Sequence, residues 1–80
     1  MNYYLAFFLI TENGQIFNSG TLPYHSKNPY PIDEVKNLLS DYLIGHKFDD
    51  GQRRAIVLLN LQKLTQEEYD QMDKDLKLSD

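Results

Sequence analysis

The sequence predicts an α+β domain with the element order ββαβα: a three-stranded, mainly antiparallel sheet with both helices on one face. Three observations predict this class. Asn13-Gly14 separates two apolar runs, an apolar stripe of helical period follows a proline-rich segment, and a third apolar run precedes a helix-start pattern. A chain of 80 residues suits one domain, and residues 1–80 are expected to form it.

The first two strands are predicted to form a hairpin. Residues 2–11 are rich in aromatic and aliphatic side chains, and residues 15–22 form the return strand. Asn-Gly is a strong turn signal because both central positions of a type I′ turn need a positive φ. A regular two-residue loop would place Phe7 opposite Gly20.

This register gives the hairpin two apolar faces. One face carries Leu5, Phe7, Leu9, Ile16 and Leu22. The other face carries Tyr4, Ala6, Phe8, Ile10 and Phe17. The first strand is therefore expected at the centre of the sheet, with the helices on the Leu5 side.

A loop and a helix follow the hairpin. Residues 23–31 contain three prolines, which predict a loop without regular strand pairing. Apolar residues recur at spacings of three and four from Ile32 to Leu43. This stripe predicts an amphipathic helix over residues 31–44.

The last two elements are a strand and a second helix. The apolar run in residues 54–61 predicts a strand buried on both faces. Thr65 and Glu68 match a capping box, which predicts a helix over residues 66–77. The strand order 2-1-3 keeps the doubly apolar first strand central and makes the third strand antiparallel to it.

Charge and cysteine content exclude several kinds of function. The net charge is −4, and residues 66–80 carry six acidic residues against two lysines, which accounts for the whole excess. This field disfavours nonspecific binding to nucleic acid or anionic lipid. Without cysteine the chain has no disulfide or thiolate metal site, which fits a reducing compartment such as the cytoplasm. No apolar run approaches the roughly 20 residues that span a bilayer.

The sequence shows no pattern of residues that specifies a reaction. His25 and His46 are the two histidines, and no nucleophile motif accompanies either. Asp49-Asp50-Gly51 resembles a fragment of a calcium loop, but the later ligands of such a loop are missing. Tyr4, Phe8 and Phe17 could stack nucleic-acid bases, yet the acidic charge argues against this. Neither catalysis nor a cofactor or metal is expected.

The expected function is that of a non-enzymatic protein–protein interaction module. Small size, acidic charge and the lack of an active-site pattern are typical of the short inhibitors and regulators that phages and other mobile elements carry. The alternative is a structural or assembly subunit that acts through homo-oligomerisation.

Two groups of residues are predicted to contact partners. The exposed hairpin face, with Tyr4, Phe8, Ile10 and Phe17, is expected to form a homodimer or to dock on another protein. The second helix, with Glu67, Asp70 and Asp73, is expected to contact a basic surface of a partner protein. The competing interpretation of these carboxylates is a solvated helix face.

Overall fold

A computed structural model of the chain, which describes residues 1–45 and 54–79, has a four-stranded antiparallel sheet and two helices. In chain order the elements are β1 (Asn2–Glu12), β2 (Gln15–Ser26), α1 (Ile32–Gly45), β3 (Arg54–Leu64), α2 (Gln66–Asp70) and β4 (Lys77–Ser79). The strands lie in the order β3-β1-β2-β4. The predicted α+β class and the central first strand are confirmed, but the sheet has a fourth strand that was not predicted.

The hairpin turns at Asn13 and Gly14, as predicted. These residues have φ values of 53° and 83°, and a type I′ turn requires this sign at both positions. A β-bulge then shifts the register between Ile10 and Thr11, because β2 places Phe17 as an extra residue between their partners. The predicted register is therefore correct beside the turn and wrong by one residue along the rest of the hairpin.

The core lies between α1 and one face of the sheet. Its buried side chains are Ala6, Phe8, Ile10, Leu22, Val35 and Leu39. Val35 and Leu39 lie four residues apart on the predicted helical stripe, so both point at the sheet. Leu22 reaches this face because the bulge places it opposite Ala6. The bulge thus aligns the apolar side chains of β2 with those of β1.

The predicted assignment of the sheet faces is wrong. Tyr4, Phe8 and Ile10 were expected on an exposed interface, but they lie beneath α1, and Phe8 and Ile10 have no exposed surface. The first strand is apolar on both sides, so its alternation does not determine which side the helix covers. Phe17 differs, because the bulge leaves it 48% exposed, with the Arg54 guanidinium carbon 4.2 Å from its ring centroid.

The two helices lie on opposite faces of the sheet, not on one face as predicted. Tyr69 of α2 packs on Tyr3, with ring centroids 4.9 Å apart, and Tyr3 alternates along β1 with the buried Tyr4. The predicted capping box is confirmed. The Glu68 N–H donates to Thr65 Oγ1 at 3.1 Å, and the Thr65 N–H donates to Glu68 Oε1 at 2.9 Å.

The second helix ends at Asp70, well before its predicted end at residue 77. The chain then turns, and β4 pairs with residues 19–21 of β2. Leu76, which falls within the predicted helix, instead precedes β4 and packs against the core cluster. A short helix has little stability of its own, so strand pairing and the burial of Leu76 determine the path.

Strands β2 and β3 also differ from their predictions. β2 continues through Pro23, where a loop was predicted, because β4 pairs only with residues 19–21 and leaves Pro23 on an outer strand. β3 is not buried on both faces, since Val57 is 44% and Leu59 is 56% exposed. In the described part of the chain, no helix is long and apolar enough to cross a membrane.

Gly20 lies where β2, β4 and the core come close together. A Cβ atom at this position would lie 2.6 Å from Cζ of the buried Phe8 and would also clash with the Lys77 carbonyl oxygen. We expect Gly20→Ala to lower the free energy of unfolding by about 1–3 kcal/mol, the usual cost of overpacking. Urea denaturation measures this change.

Gly14→Ala is the matched control. Its Cβ meets open space, but φ is 83°, so backbone strain of about 1–2 kcal/mol is the expected cost. Both variants should lose stability, and Gly20→Ala alone should speed amide hydrogen exchange in β4. Unchanged exchange at Lys77–Ser79 in Gly20→Ala would contradict the close contact.

Candidate partner-binding groove

A groove runs between α1 and β3 along one edge of the sheet. Its wider part has a volume of about 530 Å³, and its lining includes Tyr30, Lys36, Leu58, Leu59, Leu61 and Lys63. A second hollow of about 360 Å³ shares Lys36 and Leu58 with it and extends to Ile56. The two hollows therefore form one groove that follows β3 along most of its length.

The outer edge of β3 lies beside this groove. Within residues 1–45 and 54–79, the strand that pairs with β3 is β1, which lies on its inner side. The backbone N–H and C=O groups on the outer side therefore point away from the sheet. Such an edge can accept an additional strand from another protein.

A β-bulge interrupts β3 at Leu59. Phe7 pairs with Asn60 and Phe8 pairs with Leu58, which leaves Leu59 as the extra residue. Its side chain is 56% exposed. It lines both the groove and a shallow hollow over Phe7 on the opposite sheet face. Bulges re-aim side chains in this way at functional edges.

The loop before α1 holds Tyr30 at the mouth of the groove. The Asn28 N–H donates to Ser26 Oγ, and the Tyr30 N–H donates to Asn28 Oδ1, each at 3.0 Å. The Tyr4 hydroxyl donates to the Pro29 carbonyl at 2.5 Å. Tyr30 has a proline on each side in the sequence and is 77% exposed. A large aromatic ring is thus presented to solvent on a backbone that is already ordered.

Glu34 ties this loop to α1. Its carboxylate accepts hydrogen bonds from the Tyr24 hydroxyl at 2.9 Å, the Ser26 hydroxyl at 3.0 Å and the Asn28 amide at 3.2 Å. These bonds lower the pKa of Glu34, and the bond from Tyr24 has the largest effect. Burial acts in the opposite direction. Burial and the bond to Glu34 raise the pKa of Tyr24. The cluster is built to hold an ionised carboxylate.

The candidate catalytic and metal-binding residues do not converge. His25 lies in β2, and its Nδ1 is 2.8 Å from the Tyr69 hydroxyl on the α2 side of the sheet, away from the groove. Among the described residues, no three His, Cys, Asp or Glu side chains come together as metal ligands do. His46 and Asp49-Asp50-Gly51 lie outside the described residues.

The acidic residues predicted to contact a partner form a surface separate from the groove. Glu67, Asp70 and Asp73 are exposed, and α2 lies on the sheet face opposite α1. Asp73 pairs with Lys77 at 3.5 Å. The hydrogen bond from the Asp75 N–H is the main cause that lowers the pKa of Asp73, and the charge of Lys77 lowers it further. We call Glu67, Asp70 and Asp73 the acidic ridge.

Sequence reasoning missed the groove. Tyr30, Lys36 and Lys63 come from a loop, a helix and a strand, and only the packing of α1 beside β3 brings them together. Prolines on both sides of an aromatic residue were the one local signal that Tyr30 is held and exposed. The chain has no match among protein-family profiles, curated proteins or solved structures.

Removing the Glu34 charge should make the fold less sensitive to acid. Folding lowers the pKa of Glu34 below its ordinary value of 4.5, so the unfolded chain binds more protons near that pH and stability rises with pH there. The contribution is complete above the ordinary value and is lost as the pH falls through the lowered pKa. We expect Glu34→Gln to be less stable than wild type at neutral pH and to lose less stability on acidification.

Thermal melting between about pH 7 and pH 3 measures this difference. Asp33→Asn is the matched control, because it removes one negative charge from the same helical turn without breaking the Glu34 bonds. It should keep the acid sensitivity of wild type. If the melting temperatures of wild type and Glu34→Gln changed equally with pH, the ionisation of Glu34 would not contribute to stability.

Proposed function

We propose that this chain is a non-enzymatic protein-interaction module that binds an extended segment of a partner protein along β3. The observation that carries the proposal is an eleven-residue edge strand, Arg54–Leu64, whose outer side lies beside a groove. In strand addition, main-chain hydrogen bonds supply affinity, and pockets for alternate side chains supply specificity. The chain offers both features at one edge.

The groove has the composition of a binding surface. Leu58 and Leu61 are half-buried and pack against the core, so they form a firm apolar floor. Tyr30 and Leu59 stand exposed at its rim. Aromatic side chains at ordered positions contribute strongly to interfaces because little entropy is lost when they bind. The described lining residues offer no histidine and no carboxylate, which supports binding over catalysis.

The acidic ridge is proposed as a second contact surface. Its three carboxylates lie on the other face of the sheet. A single partner would therefore have to extend around one end of the sheet to contact both the groove and the ridge. A separate basic partner is the simpler arrangement. An inhibitor or regulator of this kind would act by capturing an exposed strand of its target in the groove.

Self-assembly is the second candidate function, and a different observation favours it. On the sheet face opposite α1, Ile16 is 70% and Val57 is 44% exposed, and Phe7 and Leu9 are half-buried beside them. Packing two such faces together would enlarge the small core of this short chain. This homodimer would use the face opposite to the one predicted from the sequence.

Peptide binding tests the groove. We expect random peptides displayed on phage, selected against the purified protein, to bind in extended form and to slow amide exchange in β3. Tyr30→Ala should weaken the best peptide by roughly tenfold or more, since anchoring aromatics typically contribute about 2 kcal/mol. Ile16→Asp, on the opposite face, is the control and should bind as wild type does.

Sedimentation equilibrium separates the two candidate functions. A wild-type monomer whose selected peptides protect β3 supports the groove. A wild-type dimer that Ile16→Asp converts to a folded monomer supports self-assembly instead. Protection confined to residues outside β3 would reject strand addition.

Charge reversal tests the acidic ridge. Glu67, Asp70 and Asp73 are exposed, so their triple replacement by lysine should leave the fold intact. It should reduce binding of a basic probe, poly-lysine, at low salt, and added salt should reduce wild-type binding as well. The double variant Asp33→Lys/Asp41→Lys, at exposed positions of α1, supplies charge reversals elsewhere as the control. Equal binding of poly-lysine by the triple variant and the control would identify the ridge as a solvated surface.

A further inference from the structure

We infer that the segment bound along β3 carries carboxylate side chains, an inference that rests on the proposed function of the groove. Lys36 and Lys63 are the charged residues that line the groove, and no aspartate or glutamate of the described residues lines it. The chain as a whole carries a net charge of −4. The groove lining is therefore positively charged although the protein as a whole is acidic.

The two lysines stand on different walls of the groove. Lys36 projects from α1 and lines both the wider part and its continuation, and Lys63 lies near the end of β3. Neither is within 4.0 Å of a carboxylate of the described residues, whereas Arg54, at the other end of β3, pairs with Glu12 at 3.2 Å. A segment laid along β3 therefore passes between two ammonium groups that form no ion pair with the described residues.

The apolar floor strengthens this preference. Beside Leu58 and Leu61, a carboxylate that meets Lys36 or Lys63 is partly removed from water, and such charged hydrogen bonds are stronger than those on an open surface. Leu58, Leu61 and Lys63 pair with buried residues of β1, so they lie on the same side of the sheet as Lys36. The side chains of the segment that face α1 would therefore include apolar residues beside the leucines and aspartate or glutamate beside the lysines.

A second copy of β3 fits the groove poorly. Arg54–Leu64 contains Arg54 and Lys63 and no acidic residue. Antiparallel pairing of two β3 strands would supply no carboxylate to a groove already lined by Lys36 and Lys63. The charge pattern thus favours an acidic segment of another protein over self-pairing at this edge.

Selected peptides test the inference. Ten-residue random peptides displayed on phage should be enriched in aspartate and glutamate after selection at low salt. Fluorescence anisotropy then compares the best synthetic peptide with a counterpart whose carboxylates are replaced by the corresponding amides. We expect the amide peptide to bind about tenfold more weakly, and added salt to reduce this difference.

Charge reversal on the protein gives the matched measurement. Lys63→Glu and Lys36→Glu should each weaken the acidic peptide by about tenfold, and a peptide with lysine in place of glutamate should recover binding to Lys63→Glu. Lys27→Glu, an exposed lysine outside the groove, makes the same change in net charge and should bind as wild type does. Lys63→Gln and Lys36→Gln check the result with a smaller perturbation.

The other outcomes overturn the inference in distinguishable ways. Peptides that protect β3 amides but bind equally well with and without carboxylates would support the groove as a binding site and contradict the preference for an acidic ligand. Failure of every selected peptide to protect β3 would reject the groove itself. A wild-type dimer whose β3 amides are protected without peptide would make a second copy the occupant.

Discussion

The packing of one helix on one side of β1 determines what the rest of the molecule can do. Val35 and Leu39 pack on Ala6, Phe8 and Ile10 with no exposed surface on any of them. Because α1 has a single apolar stripe, it covers only part of this face, and its backbone lies closest to β3. The groove is the space left where α1 and β3 meet, so the candidate binding site is a consequence of how a narrow helix packs on a wider sheet.

Two local devices make that geometry specific. The bulge at Phe17 moves Leu22 into register with the core, which lets β2 share the face that α1 covers. Glu34 then gathers Tyr24, Ser26 and Asn28, and so fixes the loop that presents Tyr30. The bulge also adds Leu22 to the core, whereas the Glu34 cluster adds little apolar burial. Each fixes the position of one side chain, Leu22 or Tyr30. The position of Tyr30 at the groove depends on α1 and on the loop that precedes it.

The local signals in the sequence predicted most of the elements, because each rests on neighbouring residues. The Asn13-Gly14 turn, the α1 stripe and the Thr65 capping box are of this kind. The choice of covered face depended on contacts distant in sequence, and a strand apolar on both sides gave no preference. The register failed at Phe17 because a bulge adds a residue without changing composition. β4 was missed because pairing with β2, and not the pattern of residues 77–79, makes it a strand.

The outer edge of β3 lies beside apolar side chains, so it carries a risk of aggregation as well as a candidate binding site. Unpaired strand edges promote aggregation unless something interrupts them. In β3 the bulge at Leu59 breaks the regular ladder, and Lys63 places a cation near one end. The bulge limits pairing with any strand. The absence of acidic residues from Arg54–Leu64 leaves Lys63 without an opposite charge on an identical strand, whereas an acidic strand would supply one, which is the selectivity that a binding edge needs. The same residues that keep the edge from pairing with itself thus define what it can bind.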